Sequence, residues 1–172
     1  DFYAEATREL AKRHVSTVLD TEGEPLRLGV EAEPFLVSPN QVEAEALVGQ
    51  EFHDDEDFRL ALDGIAELGA RNVLITTEQG AVALLREDRD THRYRARAPR
   101  VDAVSVVGAG DVLLAAFLAA RHARRSNEEA LRAAVAAGAA STLEVGAGRF
   151  DPRHAGRLQA GVELAELTTV EA

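Results

Sequence analysis

Short runs of β-branched and aliphatic residues alternate with amphipathic helical segments along most of this 172-residue chain, and that alternation limits what it can fold into. VSTVLD (Val15 to Asp20), PFLVS (Pro34 to Ser38) and NVLITT (Asn72 to Thr77) read as buried strands. Helical stretches separate them. The first runs from Ala4 to His14, with Ala6 and Leu10 on one face, and a short piece covers Pro25 to Ala32. QVEAEALV then stops at Gly49, and Asp54 to Ala70 offers Phe58, Leu62, Ile65, Ala66 and Leu68 as candidate core. Gly80 turns the chain into AVALL (Ala81 to Leu85), and THRYRARA (Thr91 to Ala98) alternates as an exposed antiparallel strand would. Two more helices follow, from about Gly108 to Arg125 and from Asn127 to about Leu143. The pattern predicts an α/β fold in which helices flank a largely parallel sheet. Ligands of such sheets bind beyond the carboxyl ends of the strands, where Asp20, Asn40 and the Thr76–Gly80 turn would share one rim.

Composition narrows the partners. A net charge of −11 argues against binding to nucleic acid, whose phosphate backbone attracts basic surfaces. A small anion is still admissible, because a helix terminus or a single arginine can hold a phosphate on an acidic protein. Cysteine is absent, which removes disulfides and thiolate metal sites, and the five histidines are scattered. No stretch approaches the roughly 18 apolar residues of a membrane span, and the N-terminus lacks a signal peptide's apolar core, so the cytoplasm is the expected location. Lys12 is the single lysine beside 18 arginines, a bias that genome composition explains. The chain opens directly in a helix, DFYAEATREL, with no strand before it. That start leads us to expect either an absent N-terminal half or a partner, such as a second copy, that supplies the missing strands.

Two constellations could carry chemistry. In VVGAGDVLLAAF (Val106 to Phe117), two glycines precede a helix that alanine or leucine would have continued better, since each glycine costs about 0.8–1 kcal/mol inside a helix. Glycines would let a phosphate approach the unpaired N–H groups of a helix start, with Asp111 at the pocket edge. A tight turn with Asp111 as a first-turn residue accounts for the same letters. In SPNQVEAEAL (Ser38 to Leu47), Asn40 and Glu43 could hold the water shell of Mg²⁺, which prefers a few protein oxygens plus phosphates. A capping box, Asn40 as N-cap and Glu43 at N3, is an equally complete and compatible reading. LDTEGEPL (Leu19 to Leu26) is either a structural turn or a weaker ligand site. The small-residue helix and loop AVAAGAASTLEVGAGRF (Ala134 to Phe150) suits close helix packing or a flat ligand, and the arginines of THRYRARAPR suit a solvated strand face.

Taken in order, LDTEGEPL, SPNQVEAEALVG, LITTEQGA, VSVVGAGDVLLAAFLAA and AVAAGAASTLEVGAG resemble the PfkB (ribokinase-like) carbohydrate kinases over roughly Asp1 to Gly148. LDT-x-GE-x-L followed by PN-x-x-E is most similar to the branch with 1-phosphofructokinase and tagatose-6-phosphate kinase. The resemblance implies a three-layer ribokinase-like fold whose N-terminal half and lid are absent, with residues 1–172 forming the nucleotide-binding and catalytic C-terminal portion. It implies ATP-dependent phosphorylation of a sugar or sugar phosphate. Asp111 would be the catalytic base, with Gly108, Ala109 and Gly110 forming the anion hole. Asn40 and Glu43 would organise Mg²⁺ and the nucleotide phosphates, and Thr76, Thr77 and Gly80 would belong to the nucleotide turn. The Gly146–Gly148 loop would border adenine. Three departures stand out: Ser38 where the family carries lysine, a Thr76–Gly80 turn one residue short, and Ser105 where this branch carries asparagine. Ser38 and the altered Thr76–Gly80 turn, with the absent sugar-binding half, fit an alternative, a nucleotide-binding or regulatory protein that has lost catalysis.

Overall fold

A computed structural model describes residues 1–87 and 89–168. Its elements run α1 (Phe2–Ala11), β1 (Val18–Leu19), α2 (Gly23–Val30), β2 (Leu36–Val37), α3 (Gln41–Val48), α4 (Asp55–Leu68), β3 (Val73–Thr77), β4 (Gly80–Glu87), β5 (Asp90–Arg97), α5 (Ala109–His122), α6 (Asn127–Ser141), α7 (Pro152–Gln159) and β6 (Glu163–Glu166). The six strands form one sheet in chain order, β1 to β6. Parallel pairing joins β1 to β2, with Val18 opposite Leu36, and β2 to β3, with Val37 opposite Val73. Each of these crossovers is made by helices. From β3 onward the links shorten to two residues before β4 and two before β5, a length that joins only antiparallel strands. Among the described residues no helix is long and apolar enough to cross a membrane. The chain divides into two compact units.

The first unit comprises Asp1–Thr77, Val82–Tyr94 and the stretch from Glu166. Asp1 caps α1, its carboxylate accepting from the Tyr3 and Ala4 amides at 2.8 and 3.4 Å. The helix closes on itself: the Val15 amide donates to Leu10 O at 3.0 Å, around His14 in the left-handed region (φ 58). That closure occupies residues 12–15, so the strand expected from Val15 begins only at Val18. It also corrects the face assigned to α1, whose buried residues are Ala4 and Thr7 while Leu10 is exposed.

One face of the sheet contributes Leu19, Val37, Val73, Ile75, Val82 and Leu84 to a continuous core. Against them pack Leu26 and Val30 from α2, Ala44 from α3, and Phe58, Ala61, Leu62 and Ile65 from α4. The alternating residues Leu36 and Leu74 are equally buried, as expected of strands covered on both faces. Ala66 packs at the edge of this core, but Leu68, expected inside it, is 41% exposed in the last turn of α4. Glu45 secures the α3–α4 connection: one of its oxygens accepts from Gln41 Nε2 at 2.8 Å and from the Phe52 amide at 2.9 Å. The Gln41 and Phe52 bonds hold its carboxyl below the usual carboxylate range.

Asn72 ties the parallel strands to the antiparallel ones. Its side-chain Nδ2 donates to Phe35 O at 2.8 Å, its Oδ1 accepts from the Arg86 amide at 2.9 Å, and its own carbonyl accepts from the Val37 amide at 3.1 Å. The residue is 4% exposed.

The second unit comprises Glu78–Ala81 and Arg95–Ala165. Gly80 opens β4 at φ 139, and a Cβ there would lie 2.3 Å from Ala96 O of β5. The strand THRYRARA is not the exposed ribbon its alternation suggested, since Tyr94, Arg95 and Ala96 are buried. β5 is an interior strand, because β6 forms the edge beyond it. α5 packs on α6 and α6 on α7, with Arg132 of α6 donating to Val162 O.

Two substitutions test this account. Asn72→Ala leaves Phe35 O and the Arg86 amide without their partner and is expected to lower unfolding free energy by about 2–3 kcal/mol in urea titrations. Gly80→Ala drives a Cβ into a backbone carbonyl at a positive φ, and is expected to cost at least about 2 kcal/mol in the same measurement.

Candidate functional site

The glycines before α5 adopt the geometry that a bare helix start requires. Gly108 is the N-cap at φ 79 and ψ 7, in the left-handed region, and no side chain caps the helix. By contrast α1, α3, α4, α6 and α7 are capped by Asp1, Asn40, Asp54, Ser126 and Asp151. The Ala109 amide donates to Val106 O at 3.2 Å, and the first helical bond runs from Val112 N to Gly108 O at 3.0 Å. Between them stand the amides of Gly110 and Asp111, positions that a helix cannot satisfy internally. Asp111 is exposed in the first turn, where the helix dipole favours a carboxylate. Among the described residues it has no ion-pair partner.

A second loop is built against the first. A Cβ on Gly108 would approach Gly148 N to 3.0 Å and Ala147 Cβ to 3.1 Å. Gly146 and Gly148 both have positive φ, 106 and 72. Upstream, the Val104 and Ser105 amides both donate to Thr142 O, at 2.7 and 3.0 Å, which fastens the two loops together. Gly138 brings α6 onto the start of α5, since a Cβ there would meet Leu113 Cβ at 3.2 Å and Ala109 O at 3.3 Å. The small-residue stripe on α6 therefore serves close helix packing.

In the first unit the structure brings Asn40, Glu43, Thr76 and Thr77 together. The capping box is formed: Asn40 Oδ1 accepts from the Glu43 amide at 2.9 Å, and Glu43 Oε2 accepts from the Asn40 amide at 2.8 Å. Asn40 forms a parallel bridge with Thr76, whose amide donates to Pro39 O at 3.0 Å. These residues lie at the carboxyl ends of β2 and β3, and Asp20 follows β1 on the same edge. Ser38 is only 5% exposed, its amide bound to Leu19 O at 3.0 Å. Gly80 has the structural duty of admitting Ala96 O, whatever else it touches.

Glu43 Oε1 and Asn40 Nδ2 take no part in the box. Among the described residues no group of three or more His, Cys, Asp or Glu could hold a metal ion. Any divalent cation here would rest chiefly on ligand phosphates and water, the usual habit of Mg²⁺.

Two hollows contain no residue assigned a catalytic role. One, of about 310 Å³, includes Arg59 and Arg93, both neutralised by carboxylates: Arg59 by Glu56 and Asp63, Arg93 by Asp63. The Arg59 bond draws the Glu56 carboxyl below its ordinary range. The other, of about 400 Å³, is lined by Glu144, Gly148, Arg149, Phe150, Asp151 and Pro152. Glu144, Gly148, Arg149 and Phe150 belong to the Ala134–Phe150 stretch read from sequence, and Asp151 and Pro152 lie just past it. The pair Asp151-Pro152, an N-cap followed by proline at N1, was the available signal for helix α7.

Comparison with known proteins accords with this geometry. The model of the pfkB family carbohydrate kinases matches residues 1–153. The 1-phosphofructokinase of Borreliella burgdorferi is 30% identical over 145 residues, covering 84% of this chain and 46% of that protein. The 1-phosphofructokinase of Escherichia coli is 31% identical over 148 residues, 86% of this chain and 46% of its own length. Among solved structures, phosphofructokinase-2 from Escherichia coli in complex with potassium superposes with a TM-score of 0.82 at 30% identity, over 92% of this chain and 51% of that one. Arabidopsis thaliana ribokinase complexed with ribose and ATP gives 0.78 at 24% identity, over 92% and 52%, and supports the fold. This chain thus spans about half the length of the curated relatives it matches. Its fold is ribokinase-like, and the chain belongs to the pfkB family of carbohydrate kinases.

Proposed function

We propose that this chain supplies the nucleotide-binding and phosphoryl-transfer portion of an ATP-dependent sugar-phosphate kinase. The observation that carries the reading is the start of α5, a helix N-terminus with a left-handed glycine cap, no side-chain cap bond to its amides and the exposed carboxylate of Asp111 in its first turn. The 1-phosphofructokinases similar to this chain make a phosphorylated sugar the preferred acceptor class.

In this reading the amides of Gly110 and Asp111 face the phosphoryl group in flight, with Gly108 keeping the approach bare and the Ala109 amide held by Val106 O. Their donors are fixed by the helix, so they need no reorganisation as charge develops on the transferred oxygens. Asp111 accepts the proton of the attacking sugar hydroxyl. In the first unit, the Asn40–Glu43 pair and the Thr76–Thr77 end of β3 are the groups assigned to nucleotide phosphates in this reading. Mg²⁺ bound with the nucleotide would neutralise phosphate charge, and Glu43 Oε1 is the protein oxygen free to meet its water shell. Recognition of the sugar is assigned to the part of the relatives' length that this chain does not span.

Two variants test the reading in a preparation that contains the sugar-binding half. Asp111→Asn is expected to lower kcat by about 100-fold or more while leaving the calorimetric affinity for Mg·ADP nearly unchanged. A wild-type protein that binds Mg·ADP and transfers no phosphoryl group would point instead to a nucleotide-binding protein without catalysis. Glu43→Gln preserves the capping geometry, since glutamine accepts the same N-cap bond, and removes only the charge. It is expected to weaken the dependence of nucleotide binding on Mg²⁺ without shifting the thermal midpoint.

A further inference from the structure

We propose that the free edge of β1 is the docking surface for a further β-strand, supplied by the half of the relatives' length that this chain does not span. The inference stands on the sheet and is independent of the nucleotide reading above. β1 lies at one end of the strand order, with β2 on one side and, among the described residues, no strand on the other. Thr17 O and Leu19 O accept from the Leu36 and Ser38 amides at 3.3 and 3.0 Å. Backbone groups alternate in direction along a strand, so the N–H and C=O of Val18 point to the open side. They are a donor and an acceptor that a further strand would pair.

The stretch VSTVL (Val15 to Leu19) has no charge and no proline, two devices that commonly blunt an exposed edge. The opposite edge strand, β6, carries Glu163 and Glu166. Val18 is 36% exposed, while its register partner Leu36 on β2 is fully buried. An apolar sheet face thus runs out to β1 and ends uncovered. Val15 is exposed as well, and its amide bond to Leu10 O sets it beside an exposed leucine of α1. Two turns back on the same face of that helix stands Tyr3, also exposed.

The occupant follows from the sheet and from chain length. β1, β2 and β3 are parallel and joined through helices, so the unit that extends this sheet is another parallel strand with its helix. The 1-phosphofructokinase relatives have about as much chain again as the part matched here, enough for such units. A second copy is the poorer occupant. Symmetric pairing of β1 with its own copy would be antiparallel, and it would bring together two chains of net charge −11.

The test is coexpression of this chain with a tagged portion of the Escherichia coli 1-phosphofructokinase, the portion outside the matched region, followed by affinity capture and hydrogen exchange over residues 15–20. Sedimentation of this chain alone reads its self-association. In the complex the 15–20 amides are expected to exchange at least about tenfold more slowly than in the isolated chain. Val18→Pro removes the outward N–H at a position where an edge strand tolerates proline, and Val18→Lys puts a charge on the covered face. Each is expected to cut capture at least about tenfold, while the isolated variants keep the wild-type melting temperature. Val18→Lys, whose side chain is in solvent in the isolated chain, carries the test where Val18→Pro lowers stability. Undiminished capture of Val18→Lys overturns the inference, as does failure of the folded wild-type chain to associate. A dimer of the isolated chain that Val18→Lys disperses also overturns it, since a second copy would then be the occupant. No nucleotide is present in these measurements, so their outcome does not depend on whether the chain binds Mg·ADP.

Discussion

Where this sheet changes from parallel to antiparallel pairing, one buried side chain, Asn72, bonds to both sides. Its position just before β3 lets the side-chain amide donate toward β2 while its oxygen accepts from β4. A carboxamide carries its donor and its acceptor on two separate atoms, so one small neutral side chain reaches both strands. Buried as it is, each of its bonds is worth more than a surface bond, because the orphaned partner would have no water to turn to. The register fixed there carries along β2 and β3 to their carboxyl ends. There Ser38, Pro39 and Asn40 face Thr76, and the loop-to-helix turn at Asn40 takes its shape.

The chemistry proposed for the second unit is made largely of backbone. Glycine and alanine dominate the α5 start, the α6 stripe and the Gly146–Gly148 loop, so amides come close to one another and to solvent with little side chain in the way. In the proposed reading, the positive potential that would meet a polyanion on this acidic chain comes from oriented N–H groups, which the net charge does not count. In the first unit one carboxylate has an oxygen for the cap and another for the proposed ligand. Glu43 commits one oxygen to the Asn40 amide as a cap and retains the other, so the capping and ligand-binding readings of the same motif are compatible.

Much of this was legible in the residues. The capping box at Asn40 and Glu43 has the expected positions, α5 begins where GAGD placed it, and Phe58, Leu62 and Ile65 are buried as their spacing required. Failures occurred where a neighbour in space outweighed the local pattern. Tyr94 to Ala96 alternate like an exposed strand, but β6, some 70 residues later, makes β5 interior. His14 gave no hint of a left-handed residue, so the helix closure that delays β1 was not foreseen. Leu68 has the right helical phase for the core but sits in the last turn of α4, beyond the reach of the sheet.

By itself the sequence determined the order of elements as far as α6, the approximate helix starts among them and the residues whose chemistry lies near the backbone, because these depend on contacts within a few positions along the chain. Capping, glycine conformation and amphipathic period are local properties. Only the tertiary structure decided which strands are interior, that Gly80 is required by Ala96 O and that Gly108 is required by the 147–148 loop. Those outcomes depend on close approach between segments far apart in the chain. A glycine's own letter says that its backbone is free to take a rare conformation, but not which neighbour needs the space.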